Sequence, residues 1–84
     1  MKICMITFRS VTPAQRAESV LKKAGMGGSI HRTPKWMEEQ GCGYSVRLRC
    51  QDAPAAVQLL QEEQIPFRKV YLLRETGRPE EMRL

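Results

Sequence analysis

No stretch of this chain approaches the about 18 consecutive apolar residues that a bilayer-crossing helix needs, and Ile3-Cys4-Met5-Ile6, behind a single lysine, is too short for a secretory signal core. The chain therefore reads as cytoplasmic, with no membrane association. Histidine occurs once, at His31, and neither Cys-x-x-Cys nor His-x-x-x-His spacing is present, so no four-ligand metal centre is expected. Cysteine occurs three times at irregular spacing, at Cys4, Cys42 and Cys50. An odd, irregular set does not make a disulfide framework, and in a reducing compartment each is expected as a thiol. There are no internal repeats or linkers.

What is present fits one small domain. A chain of 84 residues buries only about 60–65% of the surface it exposes when unfolded, which leaves room for one core and little for a deep catalytic cavity. The length favours a stoichiometric carrier, a binding module or a subunit over an enzyme. The net charge of +5 would attract nucleic acid, an anionic surface or an acidic partner, but also serves solubility, and alone it selects none of these.

Residues 2–8, Lys-Ile-Cys-Met-Ile-Thr-Phe, mix β-branched, aromatic and other apolar residues and read as a central strand. Thr12 is the expected N-cap of a following helix, with Pro13 at the first helical position and Gln15 completing a Thr-x-x-Gln capping box. Ala14, Ala17, Leu21 and Ala24 recur at helical spacing and Val20 widens the stripe, while Arg16, Glu18, Lys22 and Lys23 take the outer face. Gly25 ends the helix. A short strand is expected within 28–33 around Ile30, then an irregular segment from Pro34 to Gly43. Tyr44–Cys50 alternates, with Tyr44, Val46, Leu48 and Cys50 on one face and Ser45, Arg47 and Arg49 on the other. Asp52 and Pro54 open a second helix with Ala53, Ala56, Val57, Leu59 and Leu60 as its apolar positions, ending near Gln64 before Ile65-Pro66. Residues 67–73 read as a last strand, which closes a domain of residues 1–73. Residues 74–84 are charged, contain Gly77 and Pro79, and are expected as a mobile tail.

The order β-α-β-β-α-β predicts an α+β, ferredoxin-like sandwich: a four-stranded sheet with two helices on one face. In that topology strands one and three are central neighbours. The connection between strands two and three emerges where strand one ends and the first helix begins. Cys42 is thereby expected near Phe8, Arg9, Ser10 and the helix start at Thr12.

Cys42 is the cysteine with the most chemical promise, because Gly41 and Gly43 flank it and leave its sulfur unshielded. A helix N-terminus and a nearby cation favour a thiolate, and Arg9, Ser10, Thr12 and Lys35 are candidates to supply that environment. The bland alternative is a turn that happens to hold a small residue. Cys4 and Cys50 fall on apolar faces, where free cysteine acts as a small hydrophobe. His31 could meet Cys42 across the hairpin of strands two and three.

Ile6-Thr7-Phe8, the helix Ala14–Gly25 reading AQRAESVLKKAG, Pro34, and Cys42-Gly43 leading into Tyr44-Ser45-Val46-Arg47-Leu48 together resemble the small family of Se/S carrier-like proteins. The resemblance covers roughly residues 3–73. It implies that sulfur or selenium is held transiently on Cys42, as a persulfide or selenosulfide, with no permanently bound cofactor, and that protein donors and acceptors of the atom are the partners. Lys35 stands where members often carry a basic residue after the proline. The chain differs from the family in Glu38-Glu39-Gln40-Gly41, where members are commonly rich in serine, and carboxylates close to a thiolate oppose it unless they face solvent.

Trp36 and Met37, beside Pro34, are candidates for a lid over Cys42 or for partner docking, or for a satellite core. Arg47 and Arg49 are expected on the open sheet face with Ile3, Met5 and Tyr71. RNA-binding sheets stack bases on aromatic residues of the central strands. Ile3, Met5, Ser45, Arg47 and Arg49 offer no such platform, so nucleic acid is not the expected ligand. The apolar share of that face, with the arginines as its polar rim, instead makes partner docking or a homodimer the expectation. The leading functional reading is a sulfur or selenium carrier. The alternative is a ferredoxin-like binding module for a protein or nucleic acid in which Cys42 does no chemistry.

Overall fold

The computed structural model describes residues 2–33, 43–73 and 80–82. The element order is β1 (Ile3–Phe8), α1 (Val11–Lys23), β2 (Ser29–Arg32), β3 (Tyr44–Arg49), a short 3-10 turn (Cys50–Asp52), α2 (Ala53–Glu62), β4 (Val70–Leu73) and β5 (Glu80–Met82). The strands form one sheet in the order β2-β3-β1-β4-β5. Every neighbouring pair is antiparallel.

The central pair is as expected: β1 runs against β3 over six rows, from Ile3 opposite Arg49 to Phe8 opposite Tyr44. Because side chains alternate along a strand, this register sends Cys4, Ile6, Phe8, Val46 and Leu48 to one side. There they share a core with Ala14, Ala17 and Leu21 of α1 and Ala53, Ala56, Val57 and Leu60 of α2. Both helices therefore cover the same face. Full burial of a leucine such as Leu21 or Leu60 contributes about 1.5–3 kcal/mol relative to exposure.

The opposite face is less open than its composition suggests. Met5, Thr7 and Ser45 are 1%, 3% and 0% exposed, and among the described residues Val11 is the single exposed large hydrophobic side chain. The apolar docking face expected around Met5 is thus corrected: the central rows are already covered, and Arg47 and Arg49 stand exposed beside them.

The sheet has five strands, not four. Glu80–Met82, inside the stretch expected to be a mobile tail, pairs with β4, with Val70 opposite Met82. Met82 packs against the core, and its Sδ lies 3.4 Å from the Cys4 Sγ. The Lys69–Glu81 ion pair, at 3.4 Å, is about half exposed on both sides and contributes at most about 1 kcal/mol. Backbone pairing and the burial of Met82 therefore hold β5.

Helix α1 starts at Val11, with Ser10 as N-cap in extended backbone, φ −146° and ψ 172°, and no capping bond from its side chain. The Thr12 cap is thereby corrected by two residues. Pro13 remains harmless because the first amides of a helix have no intrahelical acceptor, so its missing N–H breaks no bond. At the other end Gly25, φ +77°, ends the helix as expected. The Gly25 amide donates to the Lys22 carbonyl and the Met26 amide to the Leu21 carbonyl, at 3.1 and 2.8 Å. That double bond pattern is a Schellman cap, and it leaves Ala24 exposed rather than in the stripe.

Helix α2 ends in the same way without glycine. The Gln64 amide donates to the Gln61 carbonyl at 3.1 Å and the Ile65 amide to the Leu60 carbonyl at 2.8 Å. Gln64 takes the left-handed position, φ 57°, and buried Ile65 precedes Pro66, which stops the helix. A left-handed conformation costs a residue with a Cβ about 1–2 kcal/mol, partly offset in glycine by its freer unfolded state. Gln64→Gly is expected to raise unfolding stability by about 0.5–1 kcal/mol in urea titration. Gly28 has the opposite constraint, since a Cβ there would overlap the Arg47 carbonyl oxygen. Gly28→Ala should lower stability in the same titration by about 2 kcal/mol, through overpacking of the β2–β3 approach.

Candidate functional site

Of the residues expected to serve Cys42, Arg9, Ser10, Thr12 and Gly43 are among the described residues and follow or precede the paired ends of β1 and β3. There β1 ends at Phe8, the chain bends through Arg9 and Ser10, and α1 begins. Tyr44 opens β3 opposite Phe8 and is also paired with Arg32 of β2. One step further out the Thr33 amide donates to the Gly43 carbonyl at 2.9 Å, so the β2–β3 hairpin is closed one residue after Cys42 in the chain. Gly43 is buried, while Arg9, Ser10 and Thr12 are exposed. Cys42 itself, with Lys35, Trp36, Met37 and Gly41, lies outside the described residues, as does the proposed meeting of Cys42 with His31. The His31 ring lies against Ser29, with Nε2 2.6 Å from the Ser29 hydroxyl.

The two arginines assigned to docking have different surroundings. Arg49 pairs with Asp52 at 3.4 Å, whereas Arg47 stands in the cross-strand row between Ser29 and Met5. No group of three or more His, Cys, Asp or Glu side chains among the described residues could hold a metal ion. No helix among them is long and apolar enough to cross a membrane.

The cysteine expectation needs correction. Cys4 and Cys50 are joined as a disulfide, with their Cα atoms 4.9 Å apart, inside the range such a bond requires. The β1–β3 register explains it. Cys4 is opposite Leu48, and Cys50, two residues on at the start of the 3-10 turn, is held beside β1 by the hydrogen bond from its amide to the Lys2 carbonyl, 3.1 Å. Cys4 is completely buried and Cys50 partly so, which agrees with their assignment to the core. Of the three cysteines, Cys42 is the one outside this pair.

A family whose sequence model is described as "Putative Se/S carrier protein-like" matches residues 3–72, from β1 into β4 and across Cys42. The chain belongs to this Se/S carrier-like family. Neither the curated proteins nor the solved structures hold a match to it.

The edge of this Se/S carrier-like protein has a second wall that sequence reasoning missed. Residues 67–69, expected to be strand, precede β4 instead. Thr7 faces two residues there: its amide donates to the Lys69 carbonyl at 2.8 Å, its carbonyl accepts from the Arg68 amide at 2.7 Å, and its hydroxyl accepts from the Lys69 amide at 3.0 Å. Two residues opposite one is the arrangement of a β-bulge, a device that bends a strand and re-aims its side chains. Beyond it Arg68 lines a cleft shared with Arg9 and Arg16. The sequence pattern puts Arg16 on the outer face of α1 and Arg68 in a regular strand. Neither position carries a local signal that the two would converge. Thr33 is a further surprise, buried with no hydrogen-bond partner for its Oγ1 among the described residues.

Closing a loop of sequence separation 46 restricts the unfolded chain by about 4 kcal/mol on the chain-entropy model. Urea unfolding of Cys50→Ala is expected to lose about that amount, and reduced wild-type protein should unfold at a similarly lowered midpoint. Unchanged midpoints in both would show that the bond contributes nothing to stability.

Proposed function

We propose that this protein is a sulfur or selenium carrier that loads the atom on Cys42 and hands it to a protein acceptor. The supporting observation is the cysteine arrangement: Cys4 and Cys50 are consumed in a core disulfide, so within the family match over residues 3–72 Cys42 is the cysteine left for thiol chemistry. Its chain neighbour Gly43 closes the hairpin at the edge where Arg9 and the start of α1 lie. We read the fold as a ferredoxin-like sandwich with an added edge strand, β5. Tyr44, at the start of β3, is opposite Phe8, two residues before the N-cap of α1, and an anion is favoured at a helix N-terminus.

In loading, the Cys42 thiolate attacks the outer sulfur of a donor protein's persulfide. The new S–S bond forms on Cys42, the donor's S–S bond breaks, and the donor's cysteine leaves as its thiolate, so the sulfane sulfur moves with no net oxidation. A selenosulfide forms in the same way from a donor bearing selenium. Arg9 and Lys35 stabilise the anionic forms, Ser10 and Thr12 offer hydroxyls, and Gly41 and Gly43 keep the sulfur open to both partners. Delivery is the same exchange in reverse, with the acceptor's nucleophile attacking the outer atom. Trp36, Met37, Arg47 and Arg49 provide the docking contacts for donor and acceptor.

Treatment of the full chain with a low-molecular-weight persulfide should give a single reductant-labile adduct on the Cys42 peptide by mass spectrometry, absent from Cys42→Ser. An unmodified Cys42, or an equal adduct on Cys42→Ser, would overturn the carrier reading.

A further inference from the structure

The two sulfurs of the Cys4–Cys50 bond have unequal surroundings. Cys4 lies within β1 and is completely buried, and Met82 of β5 packs against it, with Sδ 3.4 Å from the Cys4 Sγ. Cys50 is partly exposed and stands past the end of β3, at the start of the 3-10 turn that runs directly into α2.

Exchange at a disulfide begins with a thiolate attacking one sulfur while the other leaves, and access decides which sulfur is attacked. To reach Cys4 a thiolate would have to enter the core beside Met82. To reach Cys50 it needs only the surface of the turn. The surroundings of Cys50 also suit a sulfur anion, because the amides at the start of a helical segment favour negative charge. Asp52, the carboxylate nearest to Cys50 in the chain, would oppose that charge, but it is paired with Arg49 at 3.4 Å. Cys4 has an acceptor in place for the thiol it would become. At the distance found, its S–H can donate a weak hydrogen bond to the Met82 thioether.

We propose that Cys4–Cys50 is a site of thiol–disulfide exchange with a thiol reductant, that Cys50 is the sulfur attacked, and that β5, through Met82, keeps Cys4 as the leaving sulfur. The reductant's thiolate bonds to Cys50 as the Cys4–Cys50 bond breaks, and Cys4 leaves as a thiolate that takes up the proton given off by the reductant. A second reductant thiol then attacks the first reductant sulfur and frees Cys50, which is protonated in turn. Two electrons and two protons pass to the protein, and the reductant departs as its disulfide. With the bond closed, Cys42 is the cysteine left for carrier chemistry; opening it adds two thiols at the opposite end of β3 from Tyr44. The exchange does not rest on the carrier reading, because Cys42 takes no part in it.

The test exposes the oxidised full chain, folded and without denaturant, to millimolar glutathione, quenches with acid, and blocks remaining thiols with N-ethylmaleimide on denaturation. Trypsin leaves Cys4 on residues 3–9 and Cys50 on residues 50–68, so mass spectrometry separates the two sites. The glutathione adduct is expected on residues 50–68, in about tenfold excess over residues 3–9. Met82→Ala should raise the share on Cys4 several-fold, whereas Met82→Leu, which keeps the bulk, should leave the preference for Cys50 in place. An adduct on Cys4 as abundant as that on Cys50 would overturn the assignment of the attacked sulfur. A bond that stays closed in the folded protein under both glutathione and dithiothreitol would overturn the exchange site. An unchanged partition in Met82→Ala would overturn the role of β5. The Cys42 adduct falls on a third peptide, residues 36–47, so either proposal can fail while the other stands.

Discussion

The antiparallel pairing of β1 with β3 sets nearly everything else in this molecule. Its six-row register decides which residues of the central strand meet the helices, which cysteines meet each other, and which loop ends beside the start of α1. A one-residue slip would exchange the two faces of β1. Cys4, Ile6 and Phe8 would leave the core, and Ile3, Met5 and Thr7 would enter it. Completely buried Phe8 and Ile6 make that exchange costly, so the hydrophobic pattern and the backbone ladder select the same alignment.

The same pairing connects the core to the chemistry at the edge. Because Phe8 is opposite Tyr44, the last residues before β3 and the first residues after β1 share one end of the sheet. On the far side of β1, the bulge at Thr7 ends regular pairing with the segment before β4. The segment Pro66–Arg68 can then turn toward the arginines of the α1 end. A concentration of positive charge results from backbone geometry on both flanks of one strand.

The parts of this fold that were legible in the sequence are those with strong local periodicity. The stripe Ala14, Ala17 and Leu21 and the buried set of α2 emerge as read, as does Gly25 at the end of α1, while the alternation expected over Tyr44–Cys50 holds as far as Arg49, with Ser45 buried rather than exposed and Cys50 already in the 3-10 turn. The rest depended on partners distant in the chain. Glu80-Glu81-Met82 has no strand-like composition, and becomes a strand because β4 presents an unpaired edge and Met82 finds the core. Ser10 displaces Thr12 as N-cap because the chain leaves β1 through only two residues. The bond between Cys4 and Cys50 follows from register, which spacing alone does not encode. At the candidate edge, Arg9 follows the strand whose last residue is opposite Tyr44, the residue after Gly43, whereas the approach of Phe67 and Arg68 to Arg16 depends on the bulge, which has no local signal in the sequence.

The Cys4–Cys50 bond also makes a covalent ring of most of the N-terminal half, and Cys42 lies inside it. Tension applied through the two chain ends passes from Cys4 directly to Cys50 and bypasses everything enclosed. A protease that cuts between Thr33 and Gly43 would likewise leave both pieces attached to each other. The segment that carries Cys42 is thus relieved of holding the chain together.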